Sequence, residues 1–217
     1  MTLAETEFME EPVSHNAAVT RCRTYAHFAS VLGHPDNDVH SILATGQWFD
    51  QLERLSIELP FTFDVAALSA VSDVPPFDEL TSLYTSQFEV GLGSVSLFGR
   101  SYLSRDEKAI FEELFRLYEH FGLKFEDGGL PEWPDWIVVE LEFMHYLTFL
   151  EAGSPGDLTP IQRGEHDFID KHLAAFTHGL AQALDEKSVA VYSDIAKLLA
   201  AFVAADTAYL ETATTTD

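Results

Sequence analysis

The sequence predicts an all-α protein: a compact multi-helix bundle that forms one domain over residues 1–217. Three observations predict this fold class. Apolar residues recur at three- and four-residue spacing along most of the chain, as they do on the buried face of a helix. No segment shows the alternation of apolar and polar residues that is typical of strands. Hydrophobic residues make up 47% of the 217 residues and include 17 phenylalanines, so the chain has ample material for a core.

The N-terminal part of the chain is predicted to form several helices. The first covers residues 18–32, and Gly33 ends it. A second covers residues 42–55 and ends near Pro60, a short one covers residues 63–71, and another follows two prolines at 75–76. The glycines in residues 91–99 then predict a loop. Residues 1–15, ahead of the first helix, are expected to be flexible.

The clearest helical pattern lies at residues 105–121, with the sequence RDEKAIFEELFRLYEHF. A wide apolar stripe runs along this segment, and Gly122 ends it. Ser104 and Glu107 are expected to form a capping box at its start, because each side chain can satisfy the other residue's backbone N–H.

Residues 126–136, with the sequence EDGGLPEWPDW, predict a connector between an N-terminal and a C-terminal helical part. Two glycines and two prolines argue against a regular helix in this segment. Asp135 is expected to cap the next helix, which covers residues 136–152. Domain exchange through this connector is conceivable, so both a monomer and a domain-swapped dimer are compatible with the sequence.

Two further helices are predicted after a flexible link at residues 153–160. His166 and His172 would not share one face of a helix, and both are expected at the surface. Residues 212–217 are expected to form a flexible tail.

The excess of acidic over basic residues limits the kinds of molecule that the protein is expected to bind. Thirty-six acidic residues against twelve basic ones give a formal net charge of −24. Such a surface repels phosphate backbones, which argues against nucleic-acid binding, and it favours a basic partner. Solubility or a salty cytoplasm explains the acidity equally well. We expect a cytoplasmic protein without membrane insertion, because the chain has no run of roughly 20 apolar residues and no signal-peptide pattern at its N-terminus.

No group of residues predicts a catalytic, metal or cofactor site, so we expect a protein that is not an enzyme and binds no cofactor. Cys22 is the single cysteine, which excludes an internal disulfide and a thiolate zinc site. Glu142 and His145 form one Glu-x-x-His pair, whereas a di-iron site in a helical bundle needs two such pairs and further glutamates. The chain lacks a nucleophile elbow and a phosphate-binding loop of the required spacing.

An aromatic and acidic stretch at the end of the connector is the strongest candidate for a binding site. Apolar surface rimmed by carboxylates suits a peptide that is both apolar and basic, because a carboxylate accepts two parallel hydrogen bonds from arginine. The alternative is that the tryptophans pack into the core and the glutamates face water. The candidate residues are Trp133, Pro134, Asp135, Trp136, Glu140, Glu142, His145 and Tyr146.

The stretch from Tyr84 to Ala152 resembles the TorD/DmsD/NarJ family of redox-enzyme maturation chaperones. The resemblance lies in Tyr84 with Phe88, in GRSYLS, in FEELFRLYEHFGLKF and above all in LPEWPDWIVVELEFMHYLTFLEA. The later stretch IQRGEHDFIDKHLAAF resembles the family's downstream helix. By eye, the chain is most similar to the branch that serves dimethyl-sulfide, ethylbenzene, selenate, chlorate and nitrate oxidoreductases.

Members of this family are all-helical and bind the twin-arginine leader or N-terminal region of a molybdenum enzyme's catalytic subunit. They hold that subunit in the cytoplasm until its molybdenum cofactor is inserted. The resemblance implies that this chain is such a chaperone and that its partner is the apo catalytic subunit. Pro134 and Asp135 take the places of the proline and aspartate in the family's connector motif. Trp136 replaces the motif histidine, so no titrating imidazole is implied at that position.

Two alternatives from other classes stay open beside the chaperone hypothesis. A helical metalloprotein or oxygenase would contain stoichiometric iron or zinc after purification. A non-catalytic acidic helical scaffold would show no preference for a peptide with paired arginines.

Overall fold

The computed structural model describes residues 13–65, 73–90, 94–123 and 133–215. The all-α prediction is confirmed, because these residues form α-helices joined by short turns and contain no strand apart from one isolated β-bridge. The helices are α1 (Val13–Leu32), α2 (Asn37–Ala44), α3 (Gln47–Glu58), α4 (Phe77–Tyr84), α5 (Glu107–His120), α6 (Ile137–Gly153), α7 (Thr159–Phe168), α8 (Ala174–Lys187) and α9 (Ala190–Thr215).

Helix boundaries differ from the predicted ones at several places. α1 begins at Val13 and not at residue 18, so its first turn lies within the segment 1–15 that was expected to be flexible. The single helix expected over residues 42–55 is two helices, because Gly46 adopts a left-handed conformation (φ 77°) between α2 and α3. α5 begins at Glu107, and its cap is Asp106, whose carboxylate accepts hydrogen bonds from two backbone N–H groups at 3.1 and 3.2 Å. The expected capping box of Ser104 and Glu107 was therefore wrong. α9 extends to Thr215 and so includes most of the segment 212–217 that was expected to be a flexible tail.

Several segments that were singled out in the sequence lie outside the described residues. These are residues 1–12 of the expected flexible N-terminus, residues 66–71 of the short helix expected at 63–71, residues 91–93 of the loop expected at 91–99, and residues 126–132 of the connector.

α6 is the central helix of the bundle. Its sequence is apolar almost all around, and such a helix is stable when neighbours cover it on several sides. α1 packs along it, α7 contacts it from another direction, and α8 and α9 pack together beside α7. Its core side chains are fully or almost fully buried: Ile137, Leu141, Phe143, Met144 and Leu147. Because neighbouring helices hold α6 in place, the residues at its start occupy a fixed position on the bundle.

A buried ionic cluster fixes α1 to three other helices. Arg21 on α1 is completely buried. Its Nη1 lies 2.6 Å from a carboxylate oxygen of Glu151 on α6, and its Nη2 lies 2.6 Å from one of Glu165 on α7. Its Nε lies 2.5 Å from Asp206 Oδ1 on α9, and the Tyr25 hydroxyl donates a hydrogen bond of 2.6 Å to the other oxygen of Asp206. A guanidinium with its donors in a rigid plane suits three carboxylates that arrive from different helices.

This cluster contains three carboxyl groups and one guanidinium, and this excess of acidic groups helps to raise the pKa of Glu165. Burial raises the pKa of Glu165 to about 8, although the charge of Arg21 opposes the rise. The carboxylates of Glu151 and Asp206 add to the increase. Glu165 therefore carries a proton in much of the folded population at neutral pH.

His172 was expected at the surface, but it is fully buried. Residues Ile169–Leu173 form a π-helical turn between α7 and α8. Such a turn adds one residue to the helical repeat and rotates the following side chains around the axis. The imidazole stacks on Phe168 with ring centroids 5.5 Å apart, and burial lowers the pKa of His172 to about 4.

We predict that the free energy of unfolding falls as pH rises from about 6.5 to about 8. Glu165 binds its proton up to about pH 8 in the folded protein but only up to about 4.5 in the unfolded chain, so the folded state binds more protons in between. His172 gives the opposite slope only below its usual value of 6.5. For one proton the slope is at most about 1.4 kcal/mol per pH unit.

Urea unfolding at several pH values between those limits measures this slope. Glu165→Gln removes the titrating group and should reduce the slope. A wild-type stability that rises with pH in this window, or a slope that is unchanged in Glu165→Gln, would contradict the assignment.

Candidate functional site

The start of α6 pairs with the C-terminal end of the glycine-containing segment 91–99. The N–H of Gly99 donates a hydrogen bond of 2.8 Å to the Asp135 carbonyl, and the N–H of Ile137 donates one of 2.9 Å to the Leu97 carbonyl. Phe98 and Trp136 lie opposite each other in this isolated antiparallel bridge. We call residues 97–100 the strap. Its backbone is held against the start of α6 at two points.

Gly99 allows the strap to approach α6 closely. A Cβ atom added at this position would lie 2.9 Å from Glu140 Oε1 and 3.4 Å from Cδ1 of Phe176. The first distance is too short for an ordinary contact with a carboxyl group that is itself completely buried. A larger residue here would force the Glu140 carboxyl group to shift, so glycine is the residue that fits, and it places the next residue of the strap over Asp135.

Asp135 binds the strap with both carboxylate oxygens. Its Oδ2 accepts a hydrogen bond of 2.9 Å from the backbone N–H of Arg100, and its Oδ1 accepts one of 3.0 Å from Nη1 of the same residue. The expectation that Asp135 caps α6 was wrong: the cap position is Trp136, and no side chain caps the helix there. The Asp135 carboxylate points away from the first turn of α6 and towards the strap, because Arg100 offers it two hydrogen-bond donors, a backbone N–H and a side-chain N–H.

The guanidinium of Arg100 lies among three aromatic rings. Its central carbon is 4.5 Å from the ring centroids of Phe98 and Trp133 and 5.4 Å from that of Phe111. Together with the Asp135 carboxylate, these rings form what we call the guanidinium cage. Planar cations bind well over aromatic faces, and a charged hydrogen bond at the edge fixes their orientation. The Arg100 side chain keeps 20% of its surface exposed to solvent.

Glu140 lies directly below the strap. It is completely buried, and neither of its carboxyl oxygens has a hydrogen-bond partner among the described residues. Burial raises the pKa of Glu140 well above its usual range, and the neighbouring Asp135 carboxylate adds to the rise. Burial also raises the pKa of Asp135, but the strap's N–H and the charge of Arg100 oppose that rise. Of the two acids, Glu140 is therefore the one that more readily holds a proton, and Asp135 is the one that pairs with the Arg100 cation.

The other predicted site residues are distributed between the cage and the middle of α6. Trp133 is 42% exposed, Trp136 is half-buried and Pro134 is buried. Glu142 is exposed on α6, as the alternative interpretation expected for the glutamates, whereas Glu140 faces inward. The structure thus brings Trp133, Asp135 and Glu140 together at the strap.

His145 and Tyr146 use their polar atoms within the protein. Nδ1 of His145 lies 3.0 Å from the Cys22 carbonyl oxygen and 3.1 Å from its sulfur, which links α6 to α1. The Tyr146 hydroxyl donates a hydrogen bond of 3.0 Å to the Phe121 carbonyl at the end of α5. Both side chains are half-buried, so they contribute mainly to the position of α6.

The sequence analysis missed Arg100, Phe98 and Phe111 as members of this site. The composition could have indicated Arg100. Only 12 of the 217 residues are lysine or arginine, so each basic residue in this acidic chain is a candidate partner for one of its carboxylates. Phe149 was also missed. It is 60% exposed on α6, two turns after Glu142 and on the same face of the helix.

The described residues contain no group of three or more His, Cys, Asp or Glu side chains that could hold a metal ion. Within the same part of the chain, no helix combines the length and the apolar character that a bilayer crossing requires.

Comparison with known proteins identifies the family of this chain. The model of the nitrate reductase delta subunit family matches residues 57–182. The chain is 31% identical over 160 residues to the selenate reductase assembly chaperone protein of Thauera selenatis, and this alignment covers 70% of each chain. It is 27% identical over 171 residues to the perchlorate reductase assembly chaperone protein of Dechloromonas aromatica (strain RCB), which covers 73% of this chain and 75% of the relative.

A third relative aligns over a longer stretch. The dimethyl sulfide dehydrogenase assembly chaperone protein of Rhodovulum sulfidophilum is 28% identical over 203 residues, which cover 82% of this chain and 76% of that protein. The chain belongs to the nitrate reductase delta subunit family. The family and the branch expected from the sequence are confirmed, and so is the expectation that the protein is not an enzyme, because these relatives are assembly chaperones.

We predict that Asp135→Asn lowers the free energy of unfolding by about 1–2 kcal/mol. Asparagine keeps an oxygen for the backbone N–H of Arg100 but loses the charge that pairs with the guanidinium. The partial exposure of Arg100 limits the loss.

Urea unfolding measures this difference, and Glu142→Gln is the matched control. Glu142 is exposed on the same helix, so its replacement should change stability by less than about 0.5 kcal/mol. Equal stability of Asp135→Asn and the wild-type protein would show that the ion pair with Arg100 contributes nothing.

Proposed function

We propose that the protein is an assembly chaperone that binds the catalytic subunit of an oxidoreductase and holds it while the enzyme is completed. The observation that carries this proposal is the set of relatives aligned above. They share most of their length with this chain and are assembly chaperones of selenate reductase, perchlorate reductase and dimethyl sulfide dehydrogenase. In this proposal the client is a molybdenum enzyme that receives its cofactor in the cytoplasm, as the resemblance to the family implies.

The surface around the guanidinium cage is the proposed client-binding surface. Trp133 presents an exposed aromatic ring beside the cage. Glu142 and Phe149 are exposed together on the face of α6 that points away from Glu140, and they offer a further carboxylate and apolar side chain to a client segment that extends along this helix. Aromatic anchors with acidic neighbours suit a segment that is both apolar and basic. The net charge of −24 strengthens the attraction for such a segment at long range. A leader peptide with paired arginines followed by apolar residues has this chemistry.

Maturation of the client tests the chaperone function itself. A candidate client, the catalytic subunit of a molybdenum oxidoreductase, is produced with and without the chain, and its molybdenum content and activity are measured. We expect most of the subunit to lack molybdenum when the chain is absent. A subunit that fills with molybdenum equally well in both cultures would contradict the proposal.

Peptide binding tests the proposed surface. The probe is a fluorescent synthetic peptide with paired arginines followed by an apolar stretch. Trp133→Ala should weaken its binding by about 1–2 kcal/mol, because a half-exposed aromatic anchor is lost. Ile57→Ala is the matched control, since Ile57 is 80% exposed on α3, a helix that packs on α1 and α2 rather than at the strap.

Fluorescence anisotropy gives both affinities. Equal binding by Trp133→Ala and the wild-type protein, or weaker binding by Ile57→Ala alone, would place the client surface elsewhere on the bundle.

A further inference from the structure

We infer that the guanidinium cage is the binding site for an arginine side chain of the client, and that Arg100 occupies it until the client displaces it. This inference rests on the proposed function, because it assigns one group of the client segment to one place on the protein. Arg100 then acts as an internal competitor that the client must replace.

The first argument is chemical complementarity. Three rings surround a planar cation at 4.5–5.4 Å, and one buried carboxylate accepts a hydrogen bond from its edge. A site of this composition recognises a guanidinium and discriminates against an ammonium, which has neither the plane nor the fork of donors. The chain's own Arg100 demonstrates the fit.

The second argument is that the Arg100 side chain is held less tightly than the strap that carries it. The strap stays anchored by hydrogen bonds of its backbone: Gly99 N–H to the Asp135 carbonyl and Arg100 N–H to Asp135 Oδ2. The guanidinium adds one hydrogen bond to Oδ1. Its departure therefore frees one carboxylate oxygen and three ring faces without removing the strap.

Arg21 and Arg100 differ in their solvent exposure and in the number of carboxylates that bind them. Arg21 has no exposed surface and binds carboxylates from three helices. Arg100 keeps a fifth of its side chain in contact with water and has one buried ionic partner. A second carboxylate, that of the exposed Glu107, lies 3.8 Å from its Nη1 on the solvent side. Glu107 is positioned to pair with Arg100 after it leaves the cage.

The third argument is the unsatisfied acid beneath the strap. Glu140 is completely buried beside Asp135, and its oxygens have no hydrogen-bond partner among the described residues. Buried polar groups without partners are rare and often mark a binding site. Arg100 is tied to the strap by its own backbone and gives a side-chain hydrogen bond to Asp135 alone. An incoming arginine is free of that constraint and can turn two of its five N–H donors towards the Asp135 carboxylate, beside the unsatisfied Glu140.

When an arginine of the client replaces Arg100 in the cage, binding becomes selective for arginine but gains little affinity. The guanidinium's contacts with the rings and with Asp135 are broken once and formed once, so the exchange itself contributes little net affinity. The exposed face of Trp133 is not used in that exchange and stays available to the apolar part of the client segment. A lysine in the client cannot repeat those contacts and so cannot displace Arg100 efficiently. The apolar remainder of the client segment then supplies the net affinity.

Arg100→Ala tests the competition directly, because alanine retains the backbone N–H that anchors the strap to Asp135. The probe is the fluorescent peptide with paired arginines, and its counterpart has both arginines replaced by lysine. We expect Arg100→Ala to bind the arginine peptide about tenfold more tightly than the wild-type protein, since the cage is then always available. The lysine peptide should gain little.

Arg105→Ala is the matched control. Arg105 also lies between the strap and α5, where it forms an ion pair of 2.6 Å with Glu113 and donates a hydrogen bond of 2.8 Å to the Lys171 carbonyl. Among the described residues, the cation–π contacts of the cage rings are all with Arg100. Arg105→Ala should bind the arginine peptide as the wild-type protein does. An equal gain in Arg105→Ala would show that any loss of positive charge tightens binding, and the inference would be wrong.

Thermal unfolding with small-molecule probes separates the inference from the function. Acetyl-arginine amide should raise the melting temperature of Arg100→Ala and not that of the wild-type protein, and acetyl-lysine amide should raise neither. Wild-type binding of the peptide without a gain in Arg100→Ala overturns the inference and leaves the proposed function intact. Absence of peptide binding in every version, together with unchanged client maturation, contradicts the function.

Arg100→Lys protects the test against a folding defect. It keeps a positive charge near Asp135 but fits the rings less well, so it should bind the arginine peptide more tightly than the wild-type protein and less tightly than Arg100→Ala. A folded Arg100→Lys that binds more weakly than the wild-type protein would show that Arg100 contacts the client instead of competing with it.

Discussion

The ion cluster around Arg21 is the interaction on which the arrangement of the bundle depends. One guanidinium, completely buried, joins α1 to carboxylates on α6, α7 and α9. Removing the cation would leave several acids together in a medium that cannot solvate them, which is far more costly than losing an exposed ion pair. With α1 and α6 held together in this way, the start of α6 is presented at a defined place, and Asp135 and Glu140 lie on it.

The same residue type serves a different purpose at the strap. Arg21 is surrounded by acids, whereas Arg100 is surrounded mainly by rings and keeps partial contact with water. An arginine among carboxylates in the core is a permanent part of the fold. An arginine over aromatic faces at the surface is exchangeable, because another guanidinium can take the same contacts. The acidity of the chain then acts at two ranges: at long range it attracts a basic segment, and at the cage it selects arginine.

The sequence predicted the fold class and the family because both depend on local patterns. Helical periodicity is a property of residues that are close in sequence. The stretch from Trp133 to Ala152 likewise contains a contiguous sequence motif of its family. The sequence did not predict pairings between distant residues. Arg21 and Asp206 are 185 positions apart, and Asp135 was expected to cap its own helix because nothing local indicates a partner 35 residues earlier. The inward orientation of His172 was missed because a π-helical turn changes the repeat.

Nuclear magnetic resonance of arginine side chains tests the central claim most directly. In the folded protein, the Nε–H of Arg100 should show the upfield ring-current shift of a group held over aromatic faces. Addition of the arginine peptide should move this signal towards the position of a solvated arginine, in proportion to the fraction bound. The Nε–H of Arg21, which donates to Asp206 Oδ1, should stay unchanged and serves as the internal reference. An Arg100 signal that stays shifted upfield while the peptide is bound would contradict the account.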